Sequence, residues 1–197
     1  LLCYFLWNVW TMRQLTKSRA DTVMELERST ALIQCVTELS SHEDVDQAIN
    51  NLLKIVTAYF QGDRTYIFEM DYEEKLVHNT YEYAAAGVTR EIGNLRNVPI
   101  QIIQTWIDMF HERGMFYISD LDREKEKEDA RAYEVLKAQN INSLIAVPFK
   151  KNGVVTGFFG VDNPREHYRD FELLSSIQFF IMNRLETRSR QEQLQYL

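Results

Sequence analysis

The segment from Gln139 to Pro164 places the strongest constraint on the fold of this chain. Residues 144–149 and 154–161 are apolar and rich in Val, Ile and Phe, as is typical of buried strands. Between them lies Asn152-Gly153, and Asn-Gly readily adopts the positive φ angles of a two-residue hairpin turn. The segment is therefore predicted to form an antiparallel β-hairpin.

Two glycines, Gly157 and Gly160, interrupt the second strand of this hairpin. Glycine inside a strand is typical of a bulge, or of a close approach by another backbone or a ligand. We expect the neighbouring Phe159 to be buried, and Lys150 and Lys151, at the turn, to be exposed. A hairpin of this kind fits many domains that combine helices with antiparallel strands, so it does not by itself indicate a function.

The composition is that of a globular protein and excludes several functional classes. Of the 197 residues, 45% are hydrophobic and 26% are charged, which suits one domain with helical extensions. The formal net charge of −7 argues against nucleic-acid binding, because phosphate recognition needs a concentrated basic surface. Both cysteines, Cys3 and Cys35, precede the expected globular body, which excludes a disulfide-stapled fold and fits the reducing cytoplasm.

The first ten residues, LLCYFLWNVW, are apolar and aromatic but too short to span a bilayer, which takes about 20 residues. Two interpretations stay open. Residues 1–10 are either the inner end of a membrane anchor that begins before residue 1, or the start of a helix that is buried or faces a partner. In the first case Arg13, Lys17 and Arg19 would lie on the cytoplasmic side, and the protein would be tethered to the inner face of the membrane. Because residue 1 is not Met, we expect the chain to be part of a longer protein.

Residues 11–39 contain no Gly or Pro and are predicted to form a helix. Apolar side chains recur at intervals of three and four residues, diluted by polar residues at positions 19, 22 and 29. The apolar positions of this seam are Met12, Leu15, Leu26, Ile33 and Val36. The pattern predicts a short, imperfect coiled coil, or one amphipathic helix that lies on its own domain.

The rest of the chain alternates between helix and strand. Periodicity and turn residues predict helices at about 40–60, 99–113 and 123–139, strands at 64–70, 76–84 and 115–119, and a long final helix from residue 168. The irregular stretch 87–99 is long for a connection in a compact domain, and such connections are often functional. Beyond Leu185 the final helix is strongly polar, so we expect that part to leave the core and continue toward a neighbouring domain.

Several segments, in their order and spacing, resemble the GAF domains of bacterial signalling proteins that precede a diguanylate cyclase (GGDEF) domain or a histidine kinase. The matching segments are 62–69 (GDRTYIFE), 79–83 (NTYEY), 87–88, 94–95, 139–144, Pro148 and 157–164 (GFFGVDNP). The resemblance covers about residues 31–188. The last residues, 194–197, are similar to the helix that runs into a GGDEF domain.

This resemblance implies an α+β fold, in which a mostly antiparallel sheet carries the terminal helices on one face and a ligand pocket on the other. It divides the chain into an N-terminal helix (1–39), a GAF domain (40–185) and a helical linker to an output domain (186–197). It also implies a homodimer formed through the long terminal helices, to which the seam described above and Ile181 and Leu185 would contribute.

The resemblance further implies that the domain binds an unknown small molecule and controls an output, for which we expect cyclic di-GMP synthesis. The candidate ligand-binding residues are mostly aromatic: Tyr66, Phe68, Tyr81, Tyr83, Trp106, Tyr133, Ser143 and Phe159. Two alternatives remain open. The aromatic side chains could fill the pocket themselves, which would leave a dimerisation module without a ligand, or the domain could be the input of a histidine kinase.

Catalytic and cofactor sites are not expected in this chain. No cysteine lies between residues 36 and 197, which argues against a covalently attached bilin and removes the thiolate that GAF-type free methionine sulfoxide reductases require. The signature of cyclic-nucleotide-binding GAF domains is also missing. The four histidines, His42, His78, His111 and His167, are far apart and lack the spacing of metal ligands.

Overall fold

The computed structural model describes residues 2–124 and 130–195. Within them, six strands form one antiparallel sheet in the order β3-β2-β1-β6-β5-β4. The strands are β1 (Arg64–Asp71), β2 (Leu76–Ala84), β3 (Val98–Pro99), β4 (Phe116–Ile118), β5 (Leu144–Lys151) and β6 (Val154–Asp162). The helices are α1 (Leu2–Ser41), α2 (Val45–Phe60), α3 (Gln104–Arg113), α4 (Leu121–Glu124), α5 (Ala130–Ala138) and α6 (Phe171–Gln195), and a 3₁₀ turn covers Ile100–Ile103. The expected α+β fold, an antiparallel sheet with flanking helices, is confirmed.

Strands β5 and β6 form the hairpin that the sequence predicts. At its turn Asn152 and Gly153 have φ angles of 51° and 82°, which is the conformation that favours this residue pair. Lys151 is exposed as expected, but Lys150 is half-buried, and its Nζ donates a hydrogen bond to the carbonyl oxygen of Phe110 at 2.7 Å. The expected exposure of Lys150 is therefore wrong, because its ammonium group satisfies a carbonyl in the last turn of α3.

Helices α2 and α6 cover one face of the sheet, which we call the helical face, and α1 packs against both helices. Asp44 caps α2 by accepting hydrogen bonds from two backbone amides of its first turn. The end of α1 contributes buried Ala31 and Cys35 to this core. Ile181 and Leu185 are buried in the same core, so their assignment to a dimer seam is wrong. Residue spacing marks an apolar helix face, but it cannot tell whether that face covers its own sheet or a second chain.

An ion-pair cluster ties the long α1 to the start of α6. Nε of Arg28 donates to both carboxylate oxygens of Asp170, at 3.0 and 2.8 Å, and Nη1 donates to Glu172 at 2.7 Å. The Tyr59 hydroxyl donates to the same Asp170 at 2.6 Å, while Asp170 caps α6 by accepting from the amide of Leu173 at 3.2 Å. The direction of α1 is thus fixed relative to the sheet.

Among the described residues, no helix combines the length and apolar character that a membrane crossing requires.

The polar end of α6 also contacts the domain. Nη1 of Arg188 donates to the Tyr81 hydroxyl at 2.8 Å, and Nη2 donates to both carboxylate oxygens of Glu69 at 3.1 Å. The Tyr81 hydroxyl in turn donates to Asp46 of α2. The expectation that the helix leaves the core beyond Leu185 is therefore wrong as far as Arg188, because a long cationic side chain can reach acceptors on the strands.

A β-bulge in β2 decides which residues face which side of the sheet. Ile67 of β1 pairs with Tyr81, whereas the next residue, Phe68, pairs with Asn79, so Thr80 has no partner across the ladder. Side chains in a strand alternate between the two faces of the sheet, and the extra residue at the bulge reverses that alternation, so residues on either side of it follow opposite patterns. Asn79 therefore faces the side opposite the helical face, and Tyr81 faces the helices.

Candidate ligand-binding cavity

A cavity of about 60 Å³ lies between the sheet and the layer formed by the 3₁₀ turn, α3 and α5. Its floor is formed by β1, β2 and β6, and its roof includes Ile103, Trp106 and Leu136. Leu95 and Val98 close one side, so the irregular stretch 87–99 does contribute to the site. Since one water occupies about 10–15 Å³ of such a space, the cavity accommodates a few water molecules or one very small molecule. Most of the lining is apolar, and the polar side chains lie on the sheet.

The first polar group is a buried ion pair between β1 and β6. Arg64 and Asp162, 2% and 1% exposed, are joined by a hydrogen bond from Nε to Oδ2 at 2.9 Å. The other guanidinium nitrogens donate to the carbonyl oxygens of Thr89, at 3.2 Å, and Gln139, at 3.1 Å. Arg64 therefore holds two irregular segments against the edge of the cavity. Its hydrogen bond to Asp162 engages one carboxylate oxygen, Oδ2.

The second carboxylate oxygen of Asp162, Oδ1, receives no hydrogen bond from the described part of the chain. The Tyr66 hydroxyl interacts with this carboxyl group and lowers its pKa, although no hydrogen bond of ordinary geometry from the described residues reaches Oδ1. Burial raises the pKa of Asp162 to about 6, and Arg64 opposes that rise. Burial and the neighbouring Asp162 also raise the pKa of Tyr66 well above its ordinary value. Asp162 is thus a buried carboxyl group with a pKa of about 6, well above its ordinary value.

Gly160 allows Tyr66 to lie across β6. A Cβ atom at Gly160 would lie 2.8 Å from Cε2 of Tyr66 and 2.9 Å from its hydroxyl oxygen. These distances are shorter than van der Waals contact, so the close approach expected from a strand glycine is found here, between Gly160 and an aromatic ring of the cavity floor.

The second polar group comes from β2. Asn79 and Glu82, each 2% exposed, are joined by a hydrogen bond from Nδ2 to Oε2 at 3.0 Å. Glu82 also accepts from the backbone amide of Glu91 at 2.9 Å. Because the carboxylate of Glu82 can only accept, the amide nitrogen of Asn79 must face it, and this fixes the orientation of the amide. The carbonyl oxygen Oδ1 of Asn79 then has no donor among the described residues.

Three of the eight candidate residues, Tyr66, Phe68 and Trp106, line this cavity. Tyr81, Tyr83 and Phe159 lie on the helical face instead. For the two tyrosines the reason is the bulge at Thr80, which reverses the alternation of β2. Phe159 pairs with Ile67 of β1, and both point toward the helices.

The remaining two candidates lie near the cavity but do not line it. Tyr133 of α5 is half-buried, and its hydroxyl donates to Asp122 at 2.9 Å, away from the lining. Ser143 precedes β5, and its backbone amide and carbonyl both bond to Asn163. Since the residues before β5 run along the end of the sheet, the Ser143 side chain is not among those that line the cavity.

Sequence reasoning missed the polar lining. Arg64 begins β1, Asp162 ends β6, and Asn79 and Glu82 lie inside β2; all four are buried although they are polar or charged. A charged residue in a buried strand is costly unless it is paired, so Arg64, Glu82 and Asp162 were the signal in the sequence for a buried polar cluster. Phe158 was missed because the sequence does not show which face each of two adjacent phenylalanines occupies.

Cys35, the cysteine whose side chain the structure describes, is distant from the cavity. It is fully buried in the core of the helical face, and burial raises the pKa of its thiol to about 12. A thiol in that environment is a poor nucleophile. Over residues 2–124 and 130–195, no group of three or more His, Cys, Asp or Glu side chains has an arrangement that could hold a metal ion.

Comparison with known proteins identifies the family. A profile of the GAF domain family matches residues 44–185. The methanogenesis regulatory histidine kinase FilI of Methanothrix harundinacea (strain 6Ac) is 31% identical over 124 residues. That match covers 61% of this chain but only 14% of the relative, so it concerns a small part of the kinase.

Solved structures share the fold at low sequence identity. The phycoerythrobilin-bound GAF domain of a cyanobacterial phytochrome superposes with a TM-score of 0.64 at 14% identity, over 80% of this chain and 93% of that one. Free methionine-R-sulfoxide reductase from Neisseria meningitidis, in complex with its substrate, gives a TM-score of 0.62 at 14% identity. The match covers 84% of this chain and 91% of that one. With the family profile covering most of its length, this chain belongs to the GAF domain family.

Proposed function

We propose that this domain is a sensor that binds a small molecule in the cavity between the sheet and α3 and α5. One observation carries the proposal: two buried acceptor atoms, Oδ1 of Asp162 and Oδ1 of Asn79, line a cavity and lack donors in the described residues. An unsatisfied buried polar group costs about 1–3 kcal/mol, so a ligand that supplies the donors gains binding energy there.

The main alternative is a domain whose own aromatic side chains fill the cavity and which serves only to dimerise. A purely structural core is better served by apolar residues, because replacing buried polar groups with well-packed apolar ones is often neutral or stabilising. The buried acceptors therefore favour a ligand-binding sensor over a module that only dimerises. A linear tetrapyrrole is not our proposal, since about 60 Å³ is far below the 300–1,000 Å³ of pockets for drug-sized ligands.

A thermal-shift screen of small metabolites tests the proposal. We expect at least one compound to raise the melting temperature of the wild-type domain. The variant Val77→Leu lengthens a side chain of the cavity lining by one methylene, and Val155→Leu makes the same change at a fully buried site on the same face, outside the lining. A ligand that binds in the cavity should no longer raise the melting temperature of Val77→Leu but should still raise that of Val155→Leu. Equal shifts in both variants would place binding elsewhere.

We further infer that binding is passed to α6 through the bulge of β2. Asn79 and Glu82 line the cavity, while Tyr81, between them, bonds to Arg188 of α6 on the opposite face. The bulge is a local irregularity in a paired strand, and a small movement of its backbone displaces both sets of contacts together. Arg188 then follows Tyr81, and the direction of α6 changes relative to the sheet.

The output that we propose for the whole protein is a histidine kinase. The similarity to a methanogenesis regulatory histidine kinase favours this alternative. None of the comparisons supports the expected cyclic di-GMP synthesis. The coding sequence downstream of residue 197 provides the test: we expect the modules of a kinase, and a GGDEF motif would instead restore the cyclase.

We propose, too, that two copies pair through α1. Leu15, Leu26 and Ile33 of the predicted seam are 54%, 67% and 66% exposed, although all three are large and apolar. Sedimentation of Leu26→Lys tests this, with Val23→Lys as the matched control, because Val23 is 54% exposed but lies off the seam. We expect only Leu26→Lys to dissociate the dimer. A wild-type chain that sediments as a monomer at high concentration would refute the pairing.

A further inference from the structure

We infer that the ligand of this cavity is a small amine: a short apolar body that carries a positively charged, hydrogen-bond-donating group. The inference rests on the proposed function, binding of a small molecule in the cavity, and names the chemical class of that molecule. Four properties of the lining support it: its charge, its unpartnered atoms, its aromatic rings and its size.

The buried charges of the lining do not balance. Two buried carboxyl groups, Asp162 and Glu82, and one buried guanidinium, Arg64, line the cavity. Arg64 contacts Asp162 at 2.9 Å and also Glu91, which lies outside the lining, at 3.9 Å. The other base in contact, Arg90, is 62% exposed and lies 3.9 Å from Glu82. In a low-dielectric interior a net negative lining attracts a cation and repels an anion much more strongly than water would allow. Carboxylate and phosphate ligands are therefore disfavoured.

Both atoms of the lining that have no partner among the described residues are acceptors. Oδ1 of Asp162 and Oδ1 of Asn79 each need a hydrogen-bond donor, and the contact with Glu82 prevents the Asn79 amide from turning its nitrogen into the cavity. An ammonium group has three donors and no acceptor, whereas an ionised carboxylate has acceptors only. The hydrogen-bonding demand and the charge of the lining thus select the same class of ligand.

The rest of the lining suits a cation with a short hydrocarbon body. Tyr66, Phe68, Trp106 and Phe158 present aromatic rings to the space, and a cation over an aromatic ring gains about 0.5–2 kcal/mol. Apolar side chains form the roof, and the volume of about 60 Å³ limits the body to a few carbon atoms.

Titration of Asp162 gives this ligand a pH dependence. The ionisable groups in the described lining are Arg64 and Tyr66 of β1, Glu82 of β2 and Asp162 of β6, and the roof residues are uncharged. Because the pKa of Asp162 is about 6, its carboxylate is ionised at pH 7.5 and mostly protonated at pH 5. An amine is charged at both values, so its affinity falls as the pH decreases through 6, whereas a neutral ligand of the same shape is less affected.

Three compounds with one hydrocarbon body test the inference: isobutylamine, isobutanol and isobutyrate. Their binding to the wild-type domain is measured by ligand-observed NMR at pH 7.5 and pH 5. We expect isobutylamine to bind at pH 7.5 at least tenfold more tightly than isobutyrate, and to weaken severalfold at pH 5. Asp162→Asn should remove this preference, while Asp108→Asn, an exposed position on α3, should leave it unchanged.

The outcomes separate the ligand class from the proposed function. If Asp162→Asn fails to fold, Asn79→Leu removes the other acceptor, and the pH series on the wild-type domain needs no variant at all. Binding of isobutanol or isobutyrate that is sensitive to Val77→Leu, without a preference for the amine, overturns the ligand class and leaves the sensor intact. If none of the three compounds binds and the thermal-shift screen is also negative, both are overturned.

Discussion

Replacement of Arg188 by Met tests how firmly the end of α6 is held by the sheet. Methionine keeps most of the apolar volume but loses one hydrogen bond to Tyr81 and the two-oxygen contact with Glu69. Burial alone would lower the pKa of Arg188, yet Glu69 and Tyr81 raise it above its ordinary value, so the contacts outweigh desolvation. Hydrogen bonds to charged groups contribute about 1.5–3 kcal/mol when buried. Because the Arg188 side chain is 25% exposed, solvent screening reduces this to about 1–2 kcal/mol.

Urea denaturation of Arg188→Met, Tyr81→Phe and the double variant measures this contribution. We expect Arg188→Met to lower the free energy of unfolding by about 1–2 kcal/mol, and the two changes to couple by at least about 0.5 kcal/mol. Arg190→Met is the matched control, because that side chain is 77% exposed and its partner Glu186 is 3.7 Å away. Equal and small effects at Arg188 and Arg190 would refute the claim that Tyr81 holds α6.

Three further predictions concern the core, the cavity floor and its titration. Phe159→Ala should cost about 3–5 kcal/mol, because Phe159 is fully buried, while Lys151→Ala at the exposed turn should cost almost nothing; urea unfolding of both variants compares them. Gly160→Ala should destabilise the domain by about 1–3 kcal/mol in the same assay, since the added methyl group overlaps the ring of Tyr66. For Asp162, the folded pKa of about 6 exceeds the ordinary value of 3.8, so the folded state holds the proton more tightly. Its contribution to stability should therefore fall as the pH rises from about 4 to about 6, by at most about 1.4 kcal/mol per pH unit, and Asp162→Asn should abolish that dependence in unfolding curves recorded across this range. A wild-type contribution that instead grows with pH in this window would contradict the assignment.

Much of the fold was predictable because local signals agree with it. The Asn152-Gly153 turn, the apolar runs on either side and the helix periodicity all follow from short-range preferences, and the strands β5 and β6 begin and end within a residue or two of the predicted bounds. The relative placement of these elements then follows from the need to bury one face of each.

The site was less predictable because it depends on which side of a strand a residue faces. A single unpaired residue, Thr80, reverses the alternation of β2 and moves Tyr81 to the helical face, and no local residue preference marks the position of that bulge. Similarly, Arg188 looks like an exposed tail residue, because its partners Glu69 and Tyr81 are far away in the sequence. Long-range pairing decided both cases.

Hydrogen–deuterium exchange of α6 is the most direct test of the account, in which occupancy of the cavity reaches α6 through the bulge of β2. Exchange is measured with and without the tightest-binding compound at saturation, in the wild-type domain and in Tyr81→Phe. We predict changed protection in both residues 79–82 and residues 184–190 of the wild-type domain, and only in 79–82 of the variant. A saturated wild-type domain in which residues 184–190 exchange as they do without the compound would contradict the account.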